Sequence, residues 1–144
     1  MSTTLVIGSD HAGFALKEQL KAFLHESGYE VLDVGCETQT SCDYPVFAAK
    51  AADLVATKGY LGILICGSGV GMCMAAGRHP GVRAVLGANE YLARMSRRHN
   101  NANVLCLGER WMGVGLAQSV ATAFLETQFE GGRHQRRIDL FEAM

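Results

Sequence analysis

The segment Gly62-Ile63-Leu64-Ile65-Cys66-Gly67-Ser68-Gly69-Val70-Gly71 decides how this chain folds. Its first half is an unbroken apolar run, the pattern of a strand covered on both faces, and its second half alternates glycine with small residues. From Val70 to about Gly77 apolar and small residues recur near helical spacing, so the segment reads as buried strand, tight turn and helix in succession.

The same alternation extends in both directions. Leu5-Val6-Ile7, Glu30 to Val34, Val82 to Leu86 and Val104 to Leu107 are further short apolar runs, separated by helical stretches at Phe14 to Ser27, Tyr44 to Thr57 and Asn89 to Arg98. Another helix is expected from Val114 to about Phe129. In the first helix Leu16, Leu20, Phe23 and Leu24 make an apolar stripe, with Lys17, Glu18 and Lys21 on the wet face and Gly28 as the stop. Parallel strands need crossover connections, and helices supply them. The expected architecture is therefore α/β: a doubly wound, Rossmann-like three-layer α/β/α sandwich with a five-stranded parallel sheet. After Gly131-Gly132 a short basic helix forms a C-terminal arm. With 144 residues, no linker and no composition break, residues 1–144 make a single domain with one core.

Composition narrows the function. The chain is 49% hydrophobic and 19% charged with only two prolines, a globular composition. A net charge of -1 argues against nucleic-acid and membrane-surface partners, and the absence of a long apolar run or basic leader predicts a cytoplasmic protein. The five cysteines form no CxxC pair and no metal-like spacing with histidine, so reduced thiols are expected, with neither disulfides nor zinc. All four lysines precede residue 73, and all nine arginines follow it. Because the guanidinium fork matches phosphate and carboxylate oxygens, that asymmetry points to a small anionic ligand.

In doubly wound sheets ligands bind beyond the carboxyl ends of the strands. There the turn Gly67-Ser68-Gly69-Val70-Gly71 makes an anion cradle: its glycines let the backbone approach closely, and the helix behind it presents free amides. It is no dinucleotide fingerprint, since Met72 stands where GxGxxG needs its third glycine. Cys66 ends its strand at the mouth of the cradle, placed as base or nucleophile; a buried apolar role is the alternative, and the one expected of Cys73 and Cys106. Cys36 and Cys42 fall in a polar loop and receive no role. Asp10 and His11 leave the first strand at the same edge, Asp10 serving equally well as a helix cap. His99 ends a helix, where an imidazole is structurally ordinary. His25 and His79 read as surface positions, and His134 is left open. Arg133 and Arg137, four residues apart on the arm helix, share one face, and Arg110 follows the fifth strand.

Five ordered stretches are shared with a known family: Gly8-Ser9-Asp10-His11-Ala12-Gly13, Asp43-Tyr44-Pro45, Cys66 to Gly71, Ser96-Arg97-Arg98-His99-Asn100 and Glu130-Gly131-Gly132-Arg133-His134. Together they resemble the type B ribose-5-phosphate isomerases, within the sugar-phosphate isomerases that include enzymes for allose 6-phosphate and galactose 6-phosphate. The resemblance spans essentially the whole chain. It implies aldose-ketose isomerisation without metal or organic cofactor, in sites shared between the subunits of a homodimer or dimer of dimers. Carried over by motif, Cys66 would move a proton between C1 and C2, the amides from Gly67 to Gly71 would hold the enediolate, and Ser68 would handle hydroxyl protons. His99 would open the sugar ring; Asp10, His11 and Asn100 would bind hydroxyls; Arg110, Arg133 and Arg137 would take the phosphate. A second branch of the family places a glutamate base at the position of Met72 and glycine at that of Cys66, so this chain matches the cysteine branch.

Two other readings remain open at this stage. One is a 6-phosphohexose isomerase, the other a cysteine hydrolase pairing Cys66 with His99. A non-catalytic phospho-ligand module is a third.

Overall fold

The computed structural model describes residues 3–144. Strands β1 (Thr4–Ser9), β2 (Glu30–Asp33), β3 (Leu61–Cys66), β4 (Ala84–Leu86) and β5 (Val104–Gly108) form an all-parallel sheet in the order β2-β1-β3-β5-β4. The connections are helices α1 (Phe14–Glu26), α2 (Tyr44–Lys58), α3 (Val70–Gly77) and α4 (Glu90–Asn100), followed by α5 (Val114–Glu126) and the arm helix α6 (Arg133–Glu142). The expected three-layer sandwich is what forms.

Strand pleating sorts the core into two halves. Leu5, Ile7, Ile63, Ile65, Leu105 and Leu107 point to the face covered by α1, α4 and α5, where Leu20, Ala93 and Phe124 meet them. Val6, Leu64, Cys66, Val104 and Cys106 point to the other face, against Ala48, Ala52 and Val55 of α2 and Met72 and Ala76 of α3. This distribution follows from right-handed crossovers. The chain moves one way from β1 to β2 and the opposite way from β2 to β3, so the first two helices fall on opposite faces. A crevice opens where they diverge, beyond the carboxyl ends of β1 and β3.

One expectation fails inside α1. Lys17 does not lie on the wet face: it is 0% exposed, and its Nζ donates to both carboxylate oxygens of Asp33 at 2.8 Å and to the Cys36 carbonyl at 2.6 Å. A buried ammonium persists only when paired and hydrogen-bonded, and this one ties α1 to the loop after β2. Asp33 also receives Lys21 at 2.8 Å and the Gly35 amide at 2.9 Å. Burial alone would push the Asp33 carboxyl up; the two lysines and the amide outweigh it and hold it below its ordinary 3.8. Bonded this way, Asp33 turns the chain out of β2 one residue earlier than the apolar pattern suggests.

Gly131 and Gly132 take positive φ values of 69° and 58°, and the expected arm helix follows them. It does not fold back over the β3 turn of its own chain. α6 packs on α4, and its Glu142 pairs with Arg83 beside β4.

Candidate active site

The end of β3 is built around one thiol. Cys66 is 5% exposed, packed among the apolar residues beneath α3, and its Sγ accepts the Gly69 amide at 3.1 Å. That bond requires Gly69 at φ 81°, a left-handed conformation open to glycine at little cost; a Cβ there would also lie 2.9 Å from the Leu107 carbonyl. Val70 N–H donates to Ser68 Oγ at 3.2 Å, which leaves the exposed Ser68 hydroxyl proton free to point outward. In a longer helix the Gly67 and Ser68 carbonyls would accept from Gly71 and Met72. Here Arg110 N–H takes the first at 3.0 Å and Trp111 Nε1–H the second at 2.8 Å. The amides of Gly71 and Met72 are thereby left without carbonyl partners among the described residues, at the positive end of α3. Tyr44 at the start of α2 lies over Gly71, so close that a Cβ would stand 2.7 Å from its ring.

Arg110 is exposed and spans the cradle. Its guanidinium carbon lies 3.1 Å from where a Cβ of Gly67 would be, so glycine at 67 lets the cation lie flat on the backbone. The loop after β5 is fixed from below: Glu109 N–H donates to the Cys66 carbonyl, and Glu109 Oε1 accepts the Leu16 amide at 2.7 Å.

The loop after β1 reaches the same edge. Asp10 N–H donates to the Ile65 carbonyl, and Gly13 presses on it so tightly that a Cβ would be 2.5 Å away. Asp10 Oδ1 caps the single 3-10 turn His11–Gly13, accepting the Ala12 and Gly13 amides at 3.0 and 3.1 Å. The capping role is therefore real, and Oδ2 makes no hydrogen bond among the described residues. His11 Nδ1 accepts the Cys42 amide at 3.2 Å, so the neutral ring carries its proton on Nε2. Cys36 and Cys42 prove to have a structural task that a polar loop did not suggest. Cys36 is buried, with Sγ 3.1 Å from the Thr38 carbonyl, and Cys42 Sγ lies 3.8 Å from His11 Nδ1. Cys42 ties the β2–α2 loop to His11, and Cys36 holds the loop's start against Ser9 and Thr38.

Cys106 is buried in the core and Cys73 packs against it partly buried, the apolar role expected of both. A hydrogen bond from the Cys106 thiol lowers the half-buried Cys73 to about 7, while that contact and then full burial push Cys106 well up. Met72 is 0% exposed in the core under α3 and has no access to the cradle.

The remaining candidates lie elsewhere. His99 and Asn100 sit in the last turn of α4, just before β5 begins at Val104, and Val104 pairs with Gly62 at the start of β3. They are thus at the amino ends of the strands, about 13 Å of extended chain away from Cys66. His99 stacks on His134, with ring centroids 4.3 Å apart, so α6 holds Arg133 and Arg137, both exposed, at this second location. Two groups result: Asp10, His11, Cys66 to Gly71 and Arg110 at the carboxyl edge; His99, Asn100, Arg133 and Arg137 at the amino edge. A hydrolase dyad of Cys66 and His99 does not form within one chain, which corrects that alternative. The sequence reading also missed Trp111 and Tyr44 as walls of the cradle. Tyr44 stood in the Asp43-Tyr44-Pro45 motif without an assigned task, and only the close approach of Gly71 reveals it.

A thiol at the lip of a turn whose amides are unspent, with a guanidinium lying across it at a sheet switch point, is an arrangement suited to an α/β enzyme acting on a small anion. The chain belongs to the Ribose/Galactose Isomerase family, whose model matches residues 5–141. It is 44% identical over 142 residues to ribose-5-phosphate isomerase B of Escherichia coli, covering 97% of this chain and 95% of that one. A ribose 5-phosphate isomerase of Thermotoga maritima superposes with a TM-score of 0.97 at 43% identity, covering all of both chains. Ribose-5-phosphate isomerase B of Mycoplasma genitalium, solved with bound ribulose-5-phosphate, gives a TM-score of 0.94 at 44% identity over 99% of this chain and 96% of that one.

Proposed function

We propose that this chain interconverts ribose 5-phosphate and ribulose 5-phosphate through an enediolate, with Cys66 as the proton-transfer base. The observation that carries the reading is the Gly69 amide directed at Cys66 Sγ at the rim of a cradle with unspent main-chain donors. In the open-chain aldose the sulfur takes the proton from C2, and the electron pair of that bond forms the C1–C2 double bond as charge moves onto O1. The cradle amides meet that charge where it develops, without solvent having to reorganise. Ser68 passes the O2 hydroxyl proton to O1, and the thiol returns its proton to C1, giving the ketose. Met72, buried and without an ionisable group, offers no competing base.

The phosphate and the ring-opening step call for groups at the far edge of the sheet. We infer that two copies of the chain pair so that His99, Asn100, Arg133 and Arg137 of a second copy face Asp10, His11, Cys66 and Arg110 of the first. Tyr91, Val70, Met74, Leu140 and Phe141 are large apolar residues left exposed on α3, α4 and α6, and a partner copy would cover them. In that arrangement His99 moves the proton from the anomeric hydroxyl to the ring oxygen. The arginines supply binding energy remote from the reacting carbons.

The test is exchange of the C2 proton with solvent deuterium, followed by NMR across phosphorylated pentoses and hexoses. Turnover is expected to be fastest on ribose 5-phosphate; a kcat/KM higher on allose or galactose 6-phosphate would reassign the substrate. Cys66→Ala is expected to bind ribose 5-phosphate and to exchange the proton about 10²- to 10⁴-fold more slowly.

A further inference from the structure

The amino-edge cluster contains an arrangement that isomerisation does not call for. His134 Nε2 is buried and has no hydrogen-bond partner among the described residues, although a buried polar nitrogen without one is costly. It points toward Glu130 Oε1 at 3.5 Å, and the same oxygen lies 3.9 Å from His99 Nε2. All three ligand atoms fall within 4.8 Å of one another. Tetrahedral zinc, with bonds of about 2.0 to 2.2 Å to nitrogen and oxygen, sets neighbouring ligand atoms about 3.3 to 3.5 Å apart. The two sides that meet at Glu130 therefore lie within a few tenths of an ångström of that spacing, and the His99–His134 side, no longer than 4.8 Å, has to close as His99 turns.

We propose that His99, Glu130 and His134 form a binding site for a zinc-class divalent cation, with solvent or an anion in the fourth position. The donor set of two imidazoles and one carboxylate is one that zinc takes readily. Two of the donors are held in place and the third is free to turn. His134 is fixed in the core side of α6 at 8% side-chain exposure. Glu130 N–H donates to the Arg98 carbonyl at 3.1 Å, and Arg98 Nε stands 4.0 Å from Oε2, which leaves Oε1 for the imidazoles. His99, at 41% exposure, has room to tilt out of the stack so that its lone pair meets the other two. Arg98, Arg133 and Arg137 oppose a dication, which places the affinity below that of a closed structural site.

Occupancy would take His99 out of use, making the cation a reversible inhibitor. That consequence rests on the role proposed for His99; the site itself does not.

The experiment is titration of the chelator-stripped protein with Zn²⁺ alone, by calorimetry at about pH 7.5, where an ordinary imidazole is neutral. One ion per chain is expected, with affinity falling about tenfold or more in Glu130→Gln and in His134→Gln, as loss of a metal ligand requires. Glu130 is on the surface, so its variant keeps the fold even if the His134 one does not. Absence of binding, or binding undiminished by Glu130→Gln, overturns the site and directs attention to the thiols. Inhibition measured in parallel should weaken by the same factor in Glu130→Gln. Zinc held by the triad while turnover continues would support the site and contradict the role of His99.

Discussion

The two ends of the sheet are built on opposite plans. At the carboxyl end the main chain dominates: glycines, amides and a strand-terminal thiol are locked by backbone hydrogen bonds, and Gly69 and Gly13 sit where a Cβ would collide. At the amino end side chains dominate: His99, Arg133 and Arg137 project from two helices that meet at a histidine stack, and α6 is tied further by Glu142 to Arg83 beside β4. A rigid cradle suits the step in which charge develops, because preorganised dipoles act without rearranging. Long arginines on an arm suit the step in which a flexible phosphate must be found and held. Under the proposed pairing each end supplies part of the site, and the contrast indicates which defects should harm kcat and which KM.

The largest effect is expected from the cradle. Cys66→Ala should lower kcat by about 10² to 10⁴, the share of a general base, with ribose 5-phosphate affinity largely kept. Full activity in this variant would remove the base. Gly69→Ala should act in the same direction, since it strains the left-handed backbone and displaces the amide directed at the sulfur.

Stability is expected to concentrate on the same side. Lys17→Ala leaves the Cys36 carbonyl unmatched and Asp33 short of a cation, and should cost about 3 kcal/mol in urea unfolding, discounted from a fully buried pair because Asp33 is partly solvated. Arg133→Ala and Arg137→Ala, by contrast, should leave the unfolding midpoint unchanged and raise KM about tenfold each, the value of one charged hydrogen bond. Equal losses of kcat in these variants would erase the distinction between the two ends.

The smallest effect is a pH dependence. Asp33 is held below 3.8 in the fold, so its contribution is complete above that value and is lost as pH falls through the lower folded one. Lys21 is held above 10.5 by Asp33 and Glu18, so its contribution persists below that value and fades as pH rises through the folded one. Asp33→Asn should flatten the acid limb of a urea-midpoint profile; an unchanged limb would show that the pair is neutral in energy.

The carboxyl end was legible in the sequence because its chemistry is local. A strand, a glycine turn and a helix occupy consecutive residues, so Cys66 and its cradle are found together, and the parallel sheet that carries them follows from repeated apolar runs. The other end was not legible, because its members meet only through the packing of α6 on α4. Glu130 and His134 are four apart in one motif, yet nothing local reveals that His134 is buried or that it stacks on His99. Lys17 misled for a related reason: in a helical pattern a lysine marks the wet face, and only Asp33, sixteen residues on, makes its burial possible.

That a working site needs both ends, from two chains, is tested most directly by complementation. Cys66→Ala and His99→Asn, each inactive alone, are co-expressed under different tags and the mixed dimer is isolated. The account predicts one intact site in every mixed dimer, and so about half the wild-type activity per dimer. Mixed dimers as inactive as either parent would contradict it.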